Sequence, residues 1–102
     1  MTQAHPAPSS GPMTVRLHIP VGAPYLSMAS ALAGKFAEIA GCGRDDVKGL
    51  KAAFDRAAED VVALEDCSAA DGLNIECASS DGRVLVTITC GRHRAEVARL
   101  LP

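Results

Sequence analysis

The chain has 102 residues, 12 acidic and 10 basic side chains, four cysteines and three aromatic residues, a length that suits one small domain with a single core. A formal net charge of −2 argues against sequence-independent binding to nucleic-acid phosphates, which needs a basic surface. Its apolar runs are only a few residues long, far short of the roughly 20 needed to cross a bilayer, and the first twelve residues lack the apolar stretch of a secretory signal, so a cytoplasmic location is expected.

Residues 1–12, MTQAHPAPSSGP, carry no charged side chain and are rich in Pro, Ser and Ala, the composition of a disordered tail. The single domain is placed at 13–102. From Met13, the residues Val15, Leu17 and Ile19 alternate with Arg16 and His18, the period of a half-buried strand, which Pro20 ends. Pro24 suits the first turn of a helix, where a missing N–H costs nothing. Tyr25, Met28, Leu32, Phe36 and Ile39 then recur every three or four residues, with Ala29, Ala33 and Ala40 filling the same side. This whole set is expected to be the buried stripe of a first helix, closed by Gly41 as a left-handed cap.

A second helix is expected from Asp45 and Asp46, whose charges favour a helix N-terminus. Its apolar stripe is Val47, Leu50, Phe54, Ala57, Val61 and Leu64, and the two helices should pack as an antiparallel hairpin. Glu65 to Gly72 is a polar loop. Leu73, Ile75 and Cys77 alternate with Asn74 and Glu76, the run Arg83 to Cys90 is rich in Val, Ile and Thr, and Asp81-Gly82 lies between them, which predicts a β-hairpin. Beyond Gly91, residues Ala95 to Leu101 are read as a short last helix burying Val97 and Leu101. The fold class expected is therefore α+β: a two-layer sandwich in which a three-stranded, mainly antiparallel sheet packs on a helical hairpin, with a short C-terminal helix.

Cys42, Cys67, Cys77 and Cys90 form no C-x-x-C and have no histidine pair nearby, so no zinc signature is present. Cys77 and Cys90 lie on neighbouring strands, but a turn at Ser80 to Gly82 puts Cys77 opposite Val84 or Val86. Cys90 is then about 13 to 20 Å further along at roughly 3.3 Å per residue, beyond the ~7 Å that a disulfide tolerates between Cα atoms. The cysteines are read as free, mostly buried thiols, with a reactive or metal-bound cysteine as the alternative. His5, His18 and His93 have no neighbours that would form a dyad, and surface or partner-facing roles are expected of them. Residues 83–102 carry four arginines against Glu96, whereas residues 44–66 carry seven acids against four bases. Such a division either steers a protein partner or reflects solvated faces. No G-x-S-x-G, P-loop or H-E-x-x-H occurs.

Three strings in this element order, LHIPVGAPYLSMASALAGKFAEIAG from Leu17, DDVKGLKAAFDRAAEDVV from Asp45 and SSDGRVLVTITCG from Ser79, resemble the N-terminal half of a GHKL (Bergerat-fold) histidine-kinase-like ATPase domain. Within that group the chain looks most like the anti-sigma-factor serine kinases of bacterial partner-switching systems, from Val15 to Gly91. The resemblance implies that the second helix should carry an acidic base and, four residues on, an Asn that holds magnesium; these places fall on Arg56 and Asp60. Arg56 cannot accept a proton. Asp60 is either the ion-pair partner of Arg56 one turn away or a remnant cation ligand. The adenine-reading Asp that the family places in D-x-G-x-G falls on Cys90, whose thiol is a poor acceptor, and the nucleotide lid and second glycine box are expected to be lacking.

The resemblance thus implies a degenerate, truncated relative with no catalytic residue, cofactor or metal, in which Arg56, Asp60 and Cys90 mark a remnant nucleotide site. Such a protein would act by binding a sigma factor, an anti-sigma antagonist or a second copy of itself, and the exposed edges of a small sheet add to the case for self-pairing. Two alternatives stay open: an ATP-binding serine/threonine kinase-like anti-sigma factor that uses ATP and magnesium through atypical ligands, and a structural module that shares the fold alone.

Overall fold

The structure, a computed structural model, describes residues 12–63, 67 and 71–101. The expected tail, apart from Pro12, lies outside the described residues, as do Leu64 and most of the polar loop after it. Six elements follow in order: β1 (Met13–Ile19), α1 (Ala23–Ala40), α2 (Arg44–Val62), β2 (Leu73–Ser80), β3 (Arg83–Cys90) and β4 (His93–Leu100). The strands form one antiparallel sheet in the order β1-β2-β3-β4, and the helical pair, inserted between β1 and β2, covers one of its faces.

The α+β class holds, but the sheet has four strands rather than three, and β4 stands where a short C-terminal helix was expected. Ala, Glu, Arg and Leu in this segment are good helix formers, yet tertiary pairing overrides that preference. Gly91, at φ 59°, opens a two-residue loop that sets Cys90 opposite His93 and carries the register on to Arg83 opposite Leu100. Glycine at the first loop position is what a tight hairpin with a single positive φ requires. Eight residues then satisfy the hydrogen-bonding edge of β3 that a helix would have left open. The preceding hairpin is the one expected: Asp81 at φ 53° and Gly82 at φ 78° have the two positive angles of a two-residue hairpin turn, and Cys77 lies opposite Val86.

Inward positions of β2 and β3, namely Leu73, Ile75, Cys77 and Ser79 with Val84, Val86, Ile88 and Cys90, are all buried. Leu50, Phe54, Ala58 and Val61 of α2 pack onto them, close to the stripe expected. Ala29, Ala33, Phe36 and Ala40 of the stripe expected for α1 are buried, but the helix is rotated so that the rest of that stripe is not. Its buried face is Ala29, Ala33, Phe36, Ala37 and Ala40, while Tyr25, Met28 and Ile39 are exposed. Small side chains let α1 lie close to both neighbours: a Cβ on Gly34 would sit 2.7 Å from Lys51 Cδ of α2. The helix starts with the Gly22 carbonyl accepting from the N–H groups of Tyr25 and Leu26, and it ends at Gly41, φ 112°, whose N–H reaches back to Ala37 and Glu38. Among the described residues, no helix is long and apolar enough to cross a membrane.

Phe54 has no solvent exposure, so Phe54→Ala should cost about 3 to 5 kcal/mol. Ile39→Ala, on the exposed side of α1, should change stability by no more than about 0.5 kcal/mol. Urea unfolding of the two variants checks both the position of the core and the corrected phase of α1.

Candidate functional site

Arg56 and Asp60 sit one turn apart on the exposed flank of α2. They border an open groove of about 550 Å³ between α2 and β4, opposite Glu96 and Arg99 and above the small residues Gly49 and Ala53. The expected salt bridge does not form, since among the described residues no ion pair within 4 Å joins Arg56 to Asp60. A cation placed N-terminal to its acid is the weaker orientation for an i,i+4 pair, and both side chains are well hydrated. Across the groove, the Arg99 guanidinium lies over Gly49, 3.2 Å from where a Cβ would stand. In this way the basic C-terminal strand lies against the acidic second helix.

Cys90 is buried at the inner end of β3 and is bonded to Cys67, with the two Cα atoms 5.4 Å apart. The reading of four free thiols is therefore corrected for this pair, whereas Cys42 and Cys77 are free and buried. The reason lies in the register. Asn74 is opposite Thr89, so the chain entering β2 arrives beside Cys90, and the loop before it carries Cys67 to the same place. Cys77, opposite Val86, is four residues away along the sheet, as the strand spacing required. Cys90 takes no part in lining the groove of Arg56 and Asp60, and its sulfur is not available as an acceptor for a base. Of the three remnant positions, Arg56 and Asp60 share one groove and Cys90 lies outside it. Among the described residues, no three His, Cys, Asp or Glu side chains come together in a way that would hold a metal.

The outer face of the sheet is polar and open. His18 Nδ1 donates to Asn74 Oδ1 at 2.7 Å, Arg94 pairs with Glu96 at 2.8 Å, and Arg16 approaches Glu76 at 3.5 Å. These are exposed pairs of small energetic weight. His5 lies outside the described residues.

What sequence reasoning missed is the opposite flank. Val15 is 38% exposed although it points to the helical side of the sheet, opposite the buried Cys77. Beside it, Tyr25, Met28 and Ile39 of α1 are 43, 53 and 50% exposed. With Leu100, these are all the large apolar side chains classed as exposed among the described residues, and four of the five share one flank. The signal in the sequence was a second, adjacent stripe of alanines on α1, which competes with the large residues for the core. The chain matches no protein-family model, no curated protein and no solved structure.

Two predictions follow from the cysteines. Opening the bridge, by reduction or by Cys67→Ser, should lower stability by about 3 kcal/mol for a loop of 23 residues, read as a drop in the urea midpoint. Burial pushes the Cys77 thiol up from 9.0 to about 11, and burial with the nearby Asp46 carboxylate pushes Cys42 up too. A thiol whose pKa is raised by folding stabilises the native state fully below pH 9, and that contribution is lost as pH rises from 9 through 11. Unfolding free energies measured across this interval should fall more steeply for the wild type than for Cys77→Val.

Proposed function

We propose that this chain is a non-catalytic regulatory module that acts by binding protein, in the manner of an anti-sigma factor in a bacterial partner-switching system. The observation that carries this reading is the contrast between its two flanks. The positions that would serve nucleotide chemistry are an arginine and an exposed aspartate on α2 and, on β3, a cysteine locked into a disulfide. On the α1 side, a band of large apolar side chains faces solvent, the surface signature of a docking site. Partners on this reading are a sigma factor, an anti-sigma antagonist or another copy of the chain.

A cytoplasmic location belongs to the same reading, and the Cys67–Cys90 bridge is the feature that pulls against it, because structural disulfides persist in oxidising compartments. Alkylation of unfolded protein taken from its native cells distinguishes the two. Four modified cysteines support the cytoplasm, and two support an oxidising compartment.

Titration with Mg-ATP and with a non-hydrolysable analogue should give no heat and no shift of the melting temperature. Saturable binding at micromolar nucleotide would overturn the non-catalytic reading in favour of an ATP-dependent kinase-like protein.

A further inference from the structure

We propose that the open edge of β4 takes an extended segment of a partner protein as a fifth strand, seated in the groove between β4 and α2. This surface is separate from the α1 flank, and it adds to the protein-binding reading a second contact and the chemistry of what fills it.

The backbone of β4 comes first. The strand ends the sheet and is hydrogen-bonded only to β3. In an antiparallel pair, alternate residues direct both N–H and C=O to the neighbouring strand, and the residues between them direct both away. The Leu101 N–H donates to the Gly82 carbonyl at 2.7 Å. With Arg99 opposite Val84 and Val97 opposite Val86, this assigns the odd-numbered residues to β3. Arg94, Glu96 and Ala98 therefore turn their N–H and C=O groups out along the free edge, a template for a further strand. One of these acceptors is covered from within, since Arg99 Nη1 donates to the Ala98 carbonyl at 2.9 Å; an incoming N–H replaces that bond and frees the guanidinium.

The groove gives the edge a second wall. It is lined by both Glu96 and Val97, consecutive residues whose side chains leave the sheet on opposite faces, so it runs along the edge of β4 rather than over either face. On α2, the half-buried Gly49, Ala53 and Ala57 form its floor, and the exposed Ala52, Arg56 and Asp60 form its outer wall. Four helical residues advance about 6 Å and two strand residues about 6.6 Å. The side chains that a fifth strand turns toward α2 thus meet Gly49, Ala53 and Ala57 in succession, where only small groups fit beneath the strand.

Charge decides what kind of segment this is. Among the described residues, no ion pair or side-chain hydrogen bond engages Arg56, and Arg99 donates to a main-chain oxygen rather than to a carboxylate. Glu96 is already held by Arg94 at 2.8 Å, and Asp60 lies one turn beyond Arg56, away from the Gly49 end over which Arg99 sits. Two guanidinium groups therefore face this end of the groove from opposite walls, and their complement is a carboxylate, bound through charge-assisted hydrogen bonds. The segment that fits carries small apolar side chains at alternate positions and one Asp or Glu in line with Arg56 and Arg99. A second copy pairing through its own β4 would instead bring the same two arginines, Arg94 and Arg99, against Glu96 alone, a like-charged match.

A phage library of random peptides panned on the full chain should enrich sequences with that alternation and a single acid at a fixed place. When a synthetic peptide of the enriched sequence is added, amide exchange followed by NMR should slow at Glu96 and Ala98 and stay unchanged at Val97, whose N–H already bonds to β3. Arg56→Glu should weaken this peptide at least tenfold and prefer a version with Lys in place of its acid. Ala53→Lys, which fills the floor, should weaken it at least tenfold with unchanged circular dichroism. Peptides that slow exchange elsewhere, or that bind Arg56→Glu as tightly as the wild type, overturn this site, and so does a library that yields no enriched sequence. A chain that doubles its mass without peptide, and loses the doubling in Ala53→Lys, overturns the foreign segment in favour of a second copy. None of these results touches the α1 flank. The reading built on that flank falls separately, if benzoyl-phenylalanine at position 28 crosslinks to no protein in native cells.

Discussion

The molecule depends on a single constraint: the inner face of the β2–β3 hairpin is apolar along its whole length and must be kept from water. Leu73, Ile75 and Cys77 on one strand and Val84, Val86, Ile88 and Cys90 on the other leave no polar interruption except Ser79. Burying such side chains contributes about 1.5 to 3 kcal/mol for each Val, Leu, Ile or Phe, and α2 supplies the partners in Leu50, Phe54 and Val61. Everything else is arranged around that contact. β1 and β4 extend the sheet by satisfying the two edges of the hairpin, and α1 fills the space left beside α2 with alanines and Phe36, closest to α2 at Gly34, where a Cβ would meet Lys51.

That arrangement is lopsided, and the imbalance decides the character of the surface. Large side chains on α2 hold it over β3 and β4, so the far side of the sheet under β1 receives a mostly small face of α1, with Phe36 its one large fully buried side chain. Tyr25, Met28 and Ile39 are turned outward. On one flank Arg99 of β4 lies over Gly49 of α2, and on the other large apolar side chains of α1 stand exposed.

The remnant-site positions illustrate how local pattern and tertiary placement part company. Asp60 and Arg56 were legible as neighbours one turn apart, because helix geometry follows from sequence spacing alone. Whether they pair, and what lies across from them, depended on β4, whose existence the local composition argued against. The Cys67–Cys90 bridge was hidden for a similar reason. One partner lies in a loop, where no periodicity states its position, and only the register of β2 on β3 brings that loop to the end of β3. The exposed flank was hidden by two overlapping stripes on α1, each with helical spacing, between which the sequence offers no choice.

Alternation, helix spacing and turn chemistry, all set by contacts within a few residues, were enough to determine β1, both helices with the Gly41 cap, the Asp81-Gly82 hairpin and the stripe of α2. Non-local contacts decided the rest: the fourth strand, drawn to the free edge of β3; the rotation of α1, chosen by the close approach at Gly34; and the disulfide, closed by strand register. Local signals specify how a segment folds. Which side of it meets the core is settled only when two segments compete for the same volume, and in this chain that competition put alanine inside and Tyr25, Met28 and Ile39 outside.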